Sequence, residues 1–121
     1  MKINKLKFIL VSITCAMCLV SCGNSDAEVC YEFGTHVGKV VNGELIQRII
    51  TQDEFNSCLS AANNNDAYSQ RVLGSLYSSG VNGVERDPDE SVKWYIKAIN
   101  NGDKESLKML LVDIIYKNQD F

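Results

Sequence analysis

The stretch DAYSQRVLGSLYSSGVNGVERDPDESVKWYIKAINNGD, residues 66–103, decides the fold. It opens on Asp66, whose side chain can accept from the first free amides of a helix. Ser69, Leu73, Leu76 and Tyr77 then recur at helical spacing and predict one inward stripe. Ser79-Gly80-Val81-Asn82-Gly83 breaks the pattern and reads as a loop. Asp87-Pro88-Asp89-Glu90 starts a second helix: Asp87 at the N-cap, Pro88 at the first helical position, Glu90 as the return half of a capping box. Trp94, Tyr95, Ala98 and Ile99 form its apolar stripe, with small Ser91 one turn earlier. Asn101-Gly102 closes it with a residue suited to left-handed geometry.

The same signals recur on both sides. Upstream, Thr51-Gln52-Asp53-Glu54 is a capping box, and Ile50 and Phe55 occupy the two positions of a hydrophobic staple. Phe55, Cys58, Leu59 and Ala62 make an apolar face that ends at Asn63-Asn64-Asn65. Downstream, Asp103 caps a helix carrying Leu107, Leu110, Leu111, Ile114 and Ile115. Asn65-Asp66-Ala67-Tyr68-Ser69 aligns with Gly102-Asp103-Lys104-Glu105-Ser106, and Ala61-Ala62-Asn63-Asn64 with Ala98-Ile99-Asn100-Asn101, both at an offset of 37 residues. A fixed period of this length, each unit a helix pair, marks a mostly α fold built as a short α-solenoid.

These residues resemble the Sel-one-like repeat, a relative of the tetratricopeptide repeat. Leu73-Gly74, Tyr77, Gly80, Gly83-Val84, Asp87, Trp94-Tyr95, Lys97-Ala98 and Gly102 follow that family's pattern in order. The resemblance implies one complete repeat over about 66–102 within a helical domain spanning 51–121, flanked by two halves. Each matching position has scaffold work that needs no ligand. Gly74 permits close helix approach, and Gly80 and Gly83 permit the turn between paired helices. Trp94 and Tyr95 supply large buried area, and Ala98 keeps the crossing tight. One extra residue between Gly80 and Gly83-Val84 accounts for a period one longer than the family's spacing of about 36 residues. Ser69, Glu90, Ser91 and Ile99 also depart from the pattern.

Residues 29–50 read as extended. Val37, Val40 and Val41 precede Asn42-Gly43, and Leu45, Ile46, Ile49 and Ile50 follow, the signature of a small N-terminal β-hairpin with a type I′ turn. A helix from about Glu44 to Ile50 is the competing reading, since the same apolar residues fit helical spacing.

The N-terminus carries an address. Lys2, Lys5 and Lys7 precede an apolar run of 13 residues, Phe8 to Val20. That is the layout of a secretory signal peptide, and a 13-residue helix spans only about 20 Å of a hydrocarbon core of about 30 Å. Leu19-Val20-Ser21-Cys22 resembles the lipobox of bacterial lipoproteins. The resemblance implies cleavage after residue 21, lipidation of Cys22, and a polar tether over 22–28. Gly23, in place of aspartate, resembles lipoproteins sorted to the outer membrane, with the domain facing the periplasm. Removal of residues 1–21 takes three of the 12 lysines and arginines and none of the 15 acids, leaving a net charge of −6. An acidic domain has no electrostatic footprint for nucleic acid. An anionic bilayer surface would repel it, so membrane attachment rests on the lipid anchor alone. Cys15 and Cys18 leave with the signal, and an exported compartment favours a Cys30–Cys58 disulfide over the alternative of two buried thiols.

Chemistry-bearing motifs are sparse. His36 is the only histidine, without thiolates or carboxylates at metal-ligand spacing. No serine, threonine or cysteine stands in an activating motif, and Asp87, Asp89 and Glu90 are explained by capping. No metal, cofactor or catalytic residue is expected. The resemblance implies an envelope adaptor that binds a protein partner; a periplasmic immunity protein against a secreted antibacterial effector is the second reading, and a hydrolase the third. In the last helix, the stripe Leu107, Leu110, Leu111 and Ile114 is expected inside. Met109, Val112 and Tyr116 are then left as an exposed partner patch, unless Phe121 or the hairpin folds over them.

Overall fold

A computed structural model describes residues 25–36 and 39–119. The elements are α1 (Asp26–His36), β1 (Lys39–Val41), β2 (Glu44–Ile46), α2 (Gln52–Asn63), α3 (Ala67–Ser79), α4 (Pro88–Asn100) and α5 (Lys104–Lys117). Consecutive helices pack against one another, and α3 also touches α1 and α5. The fold is therefore a short α-solenoid, α1–α2, α3–α4 and then α5, with a two-stranded hairpin between α1 and α2.

Local chemistry sets most boundaries. Thr51 accepts from the Glu54 amide while the Glu54 carboxylate accepts from the Thr51 amide, a complete capping box. Burial pushes the Glu54 carboxyl up, but hydrogen bonds from Thr51 and Arg48 outweigh it and hold its pKa below the ordinary value. Asp66 and Asp103 cap α3 and α5 by accepting from the amides of Ser69 and Ser106. Asp87 caps α4 through the amides of Asp89 and Glu90. Glu90 does not complete a box there; its carboxylate takes Lys93 at 2.7 Å instead. Gly80 ends α3 in the left-handed region at φ 64°, where a Cβ would also meet Arg86 at 2.7 Å.

The hairpin forms at the expected place. Val40 pairs with Leu45, and Asn42 and Gly43 both take positive φ, 54° and 84°, as a type I′ turn requires. The competing helix over Glu44–Ile50 is not formed. Val37 and Phe121 lie outside the described residues, as do the signal segment, Cys22 and Gly23.

The extended reading of residues 29–36 is corrected by α1. Ser25 accepts from the Glu28 amide at 3.2 Å, and Asp26 and Glu28 sit in the first turn where the helix dipole favours them. Asp26 to Glu28 are thus helical rather than part of a loose tether. Cys30 and Phe33 face inward, fully buried. Cys30 is disulfide-bonded to Cys58 of α2, Cα–Cα 4.8 Å, across a sequence separation of 28. Closing a loop of that size stabilises the fold by about 3–4 kcal/mol on a chain-entropy basis. Asp26 also accepts from the Ser60 hydroxyl at 2.6 Å, a second tie between α1 and α2.

The core runs through Phe33, Ile50, Cys58, Ala62, Leu73, Leu76 and Trp94, with Phe55, Leu59 and Tyr77 packed against it. Buried Gln70 is satisfied on both ends: its amide donates to the Ala62 carbonyl at 2.9 Å and accepts from Asn101 at 2.9 Å. It therefore joins α2, α3 and the end of α4. The α3–α4 contact is the tightest. A Cβ on Gly74 would lie 2.6 Å from two Tyr95 ring atoms, and the Ser91 hydroxyl donates to the Gly74 carbonyl at 2.8 Å. Tyr95 is almost fully buried and cannot swing aside. Gly74→Ala should therefore cost about 1–3 kcal/mol by overpacking, read as a lowered midpoint in denaturant unfolding. An unchanged midpoint would contradict the contact.

Candidate functional site

The last helix docks differently from the sequence expectation. Leu107, Leu111 and Ile114 are not buried; they are 49%, 51% and 44% exposed, and of that stripe only Leu110 turns partly inward. The inward positions are Ser106, which is fully buried, and Asp113. Asp113 accepts from the Ser78 hydroxyl of α3 at 2.7 Å, and the Ser91 hydroxyl of α4, whose single proton goes mainly to the Gly74 carbonyl, lies 3.2 Å from its other carboxylate oxygen. The Ser78 hydrogen bond, with the Ser91 hydroxyl packed beside the same carboxylate, fixes the rotation of α5, and that rotation carries its leucines outward.

Met109, Val112 and Tyr116 are 40%, 48% and 65% exposed. They line two recesses along the seam between α3 and α5. One, of about 250 Å³, is bounded by Gly34, Tyr68, Arg71, Val72, Ser75 and Met109. The other, of about 560 Å³, is bounded by Ser78, Ser79, Arg86, Val112, Asp113 and Tyr116. Spacings of three and four residues on both helices place the recesses in line. The result is a groove with an apolar wall on α5 and a serine-rich wall on α3. The hairpin makes no substantial contact with α5 and does not cover the groove.

A polar and aromatic ladder crosses the first helices of the three units at one end of this groove. The Tyr31 ring lies 5.0 Å from Tyr68, and the Arg71 guanidinium stacks over Tyr68 at 4.9 Å. Arg71 Nε stands 3.3 Å from the Asp103 carboxylate, a contact of charges without hydrogen-bond alignment. Burial raises the Tyr68 pKa, against the lowering influence of Arg71, so the phenol stays protonated and available as a donor. Sequence reasoning missed this ladder. Its visible part was Tyr68 and Arg71, one helical turn apart; Tyr31 required knowing that α1 is a helix.

The scaffold residues sit apart from the groove surface. Leu73, Gly74, Trp94, Tyr95 and Ala98 are buried, and Tyr77 packs edge-on to Phe55 at 6.3 Å. Asp87 is a cap, Gly80 and Gly102 take left-handed backbone, and Gly83 closes against Ile49. Lys97 covers the Trp94 ring at 4.3 Å. The hydroxyl–carboxylate cluster at Asp113 has no imidazole beside it: His36 ends α1, where Nδ1 donates to the Glu32 carbonyl at 2.6 Å. Rather than a strand or loop residue, it is an exposed helix-terminal one. Among the described residues no group of three or more histidine, cysteine or carboxylate side chains is placed to hold a metal.

Helix pairs stacked at a 37-residue period, with a groove along the first helices, define a helical-repeat solenoid. Residues 67–103 match the family model of the Sel1 repeat, a repeat that commonly mediates protein–protein interaction. No curated protein and no solved structure gives a significant match to the chain.

Proposed function

We propose that this protein is a lipid-anchored envelope adaptor that faces the periplasm and receives a protein segment in the α3–α5 groove. The exposed wall Met109, Val112 and Tyr116 carries the reading. It places an apolar strip beside the hydroxyl oxygens of Ser75, Ser78 and Ser79, whose internal hydrogen bonds leave lone pairs free, so a bound chain finds both burial and acceptors for its amides. Tyr68, Arg71 and Arg86 at its borders suit acidic or carbonyl-rich groups of the bound segment.

Anchoring is supported by the basic start, the short apolar run and Leu19-Val20-Ser21-Cys22. No described helix is long and apolar enough to cross a membrane. Acyl chains on Cys22 would hold the domain at the bilayer, at about 0.8 kcal/mol per buried methylene, against the repulsion of its net negative charge. Gly23 favours the outer membrane. No cofactor or metal enters this function.

Two outcomes follow. Cys22→Ser abolishes labelling by a fatty-acid analogue and releases the protein from membranes or leaves an unprocessed precursor; normal labelling in that variant refutes the anchor. Val112→Glu with Tyr116→Glu keeps the helical circular dichroism and the melting cooperativity but abolishes recovery of the partner from envelope extract. Loss of folding in the double variant would instead assign these residues to the core.

A further inference from the structure

The outer flank of α5 is a second apolar surface, which meets the groove only at the helix's C-terminal end, where Ile114 and Tyr116 border one small recess. It holds Leu107, Leu111, Ile114 and Ile115, and Ile96 of α4 adds to it, each between 44% and 55% exposed. The 37-residue register shows what kind of surface it is. Leu107, Leu111 and Ile114 stand where α3 has Gln70, Gly74 and Tyr77. On α3 those positions are closed over by α4: Asn101 bonds Gln70, Tyr95 lies on Gly74, and the Asp87 amide bonds the Tyr77 carbonyl. Ile96 stands at the register of Leu59 in α2, which packs against the core. The surface is thus the face on which the next helix of a solenoid would sit.

A next helix of the same kind does not fit there. The α4 helix reaches α3 because position 74 has no Cβ; even one methyl would lie 2.6 Å from the Tyr95 ring. At the equivalent position α5 carries Leu111, a full side chain. The face therefore takes a helix at the wider end of the range of about 8–10 Å between axes, with large side chains interdigitating.

We propose that the occupant is the same face of a second copy of this chain, with the two α5 helices antiparallel about a two-fold axis at Leu111. Leu111 then meets its counterpart, and Leu107 meets Ile115 of the other copy, four residues to either side of the axis. Antiparallel alignment also pairs the helix dipoles favourably. Five half-exposed aliphatic side chains present on the order of 450 Å², and two such faces with their rims come to the lower bound of roughly 1,000 Å² total for a biological interface, the size of a weak, reversible dimer. Lys104 and Lys108 fall at the rim, and Lys108 already turns to Glu105 at 3.2 Å, so no lysine head needs burial. This pairing does not depend on the groove having a partner, because Met109 and Val112 lie on the opposite flank of the helix and only Tyr116 shares a recess with Ile114.

The test is sedimentation of the full-length protein in density-matched detergent, with enough micelles to remove chance co-occupancy. The proposal expects a dimer that dissociates on dilution. Leu107→Glu with Leu111→Glu should weaken dimerisation at least about tenfold, with unchanged helical circular dichroism. Met109→Glu with Val112→Glu should leave the dimer intact. A photo-crosslinking residue at position 111, in otherwise unaltered protein, should give a product of twice the chain mass joined within α5. A monomer at every concentration overturns the proposal. So does a dimer indifferent to the leucine variants, or crosslinking at 111 to a different protein only.

Discussion

The close approach of α4 to α3 at Gly74 is the constraint on which the rest of the structure depends. Only a residue without a Cβ lets the Tyr95 ring lie there, and only that spacing lets the Ser91 hydroxyl reach the Gly74 carbonyl at 2.8 Å. With α4 seated, Trp94 enters the core shared with α2 and α3, and Asn101 arrives at Gln70. The Ser91 hydroxyl is then also within reach of Asp113, which sets the rotation of α5. One small residue in the middle of the repeat thus fixes helix spacing on one side and the exposure of the groove wall on the other.

The units beside this repeat are completed by other means. On the N-terminal side the Cys30–Cys58 bond and the Asp26–Ser60 hydrogen bond join α1 to α2, and a second close approach, Gly34 against Tyr68 and Val72, seats α1 on α3. On the C-terminal side α5 is held by the hydrogen bond from Ser78 to Asp113, with the Ser91 hydroxyl alongside, where α3 uses buried Leu76. Polar docking leaves its leucines and isoleucines for surfaces. An internal repeat helix spends those residues on its own neighbours, and this one has none on its outer flank among the described residues.

The central repeat was legible in the sequence because its caps, stripe spacing and glycines all point the same way. The Asp66, Asp87 and Asp103 caps, the Thr51–Glu54 box and the Asn42-Gly43 turn appear at the residues that signalled them. The first helix was not read. Its cap, Ser25 with Glu28 three residues on, was visible in principle. Gly34 and the β-prone Val29, Tyr31 and Phe33 masked it; a helix of such weak propensity draws its stability from tertiary contacts, here the Cys30–Cys58 bond and packing against α3. The rotation of α5 was illegible for a different reason. Hydrophobic periodicity ranks Leu107 and Leu111 above Asp113 for the interior, and the polar surroundings that reverse the order, the Ser78 donor and the nearby Ser91 hydroxyl, lie on two other helices. For the groove, the apolar wall could be named from α5 alone, while the ladder through Tyr31, Tyr68 and Arg71 exists only once three units are stacked.

The contact between Gly74 and Tyr95 can be read directly by nuclear magnetic resonance on the folded protein. Strong nuclear Overhauser effects are expected between the Gly74 α-protons and the Tyr95 ring protons, with the glycine resonances displaced by the ring current. Gly74 α-protons at ordinary positions, with no effect to the Tyr95 ring, would contradict it.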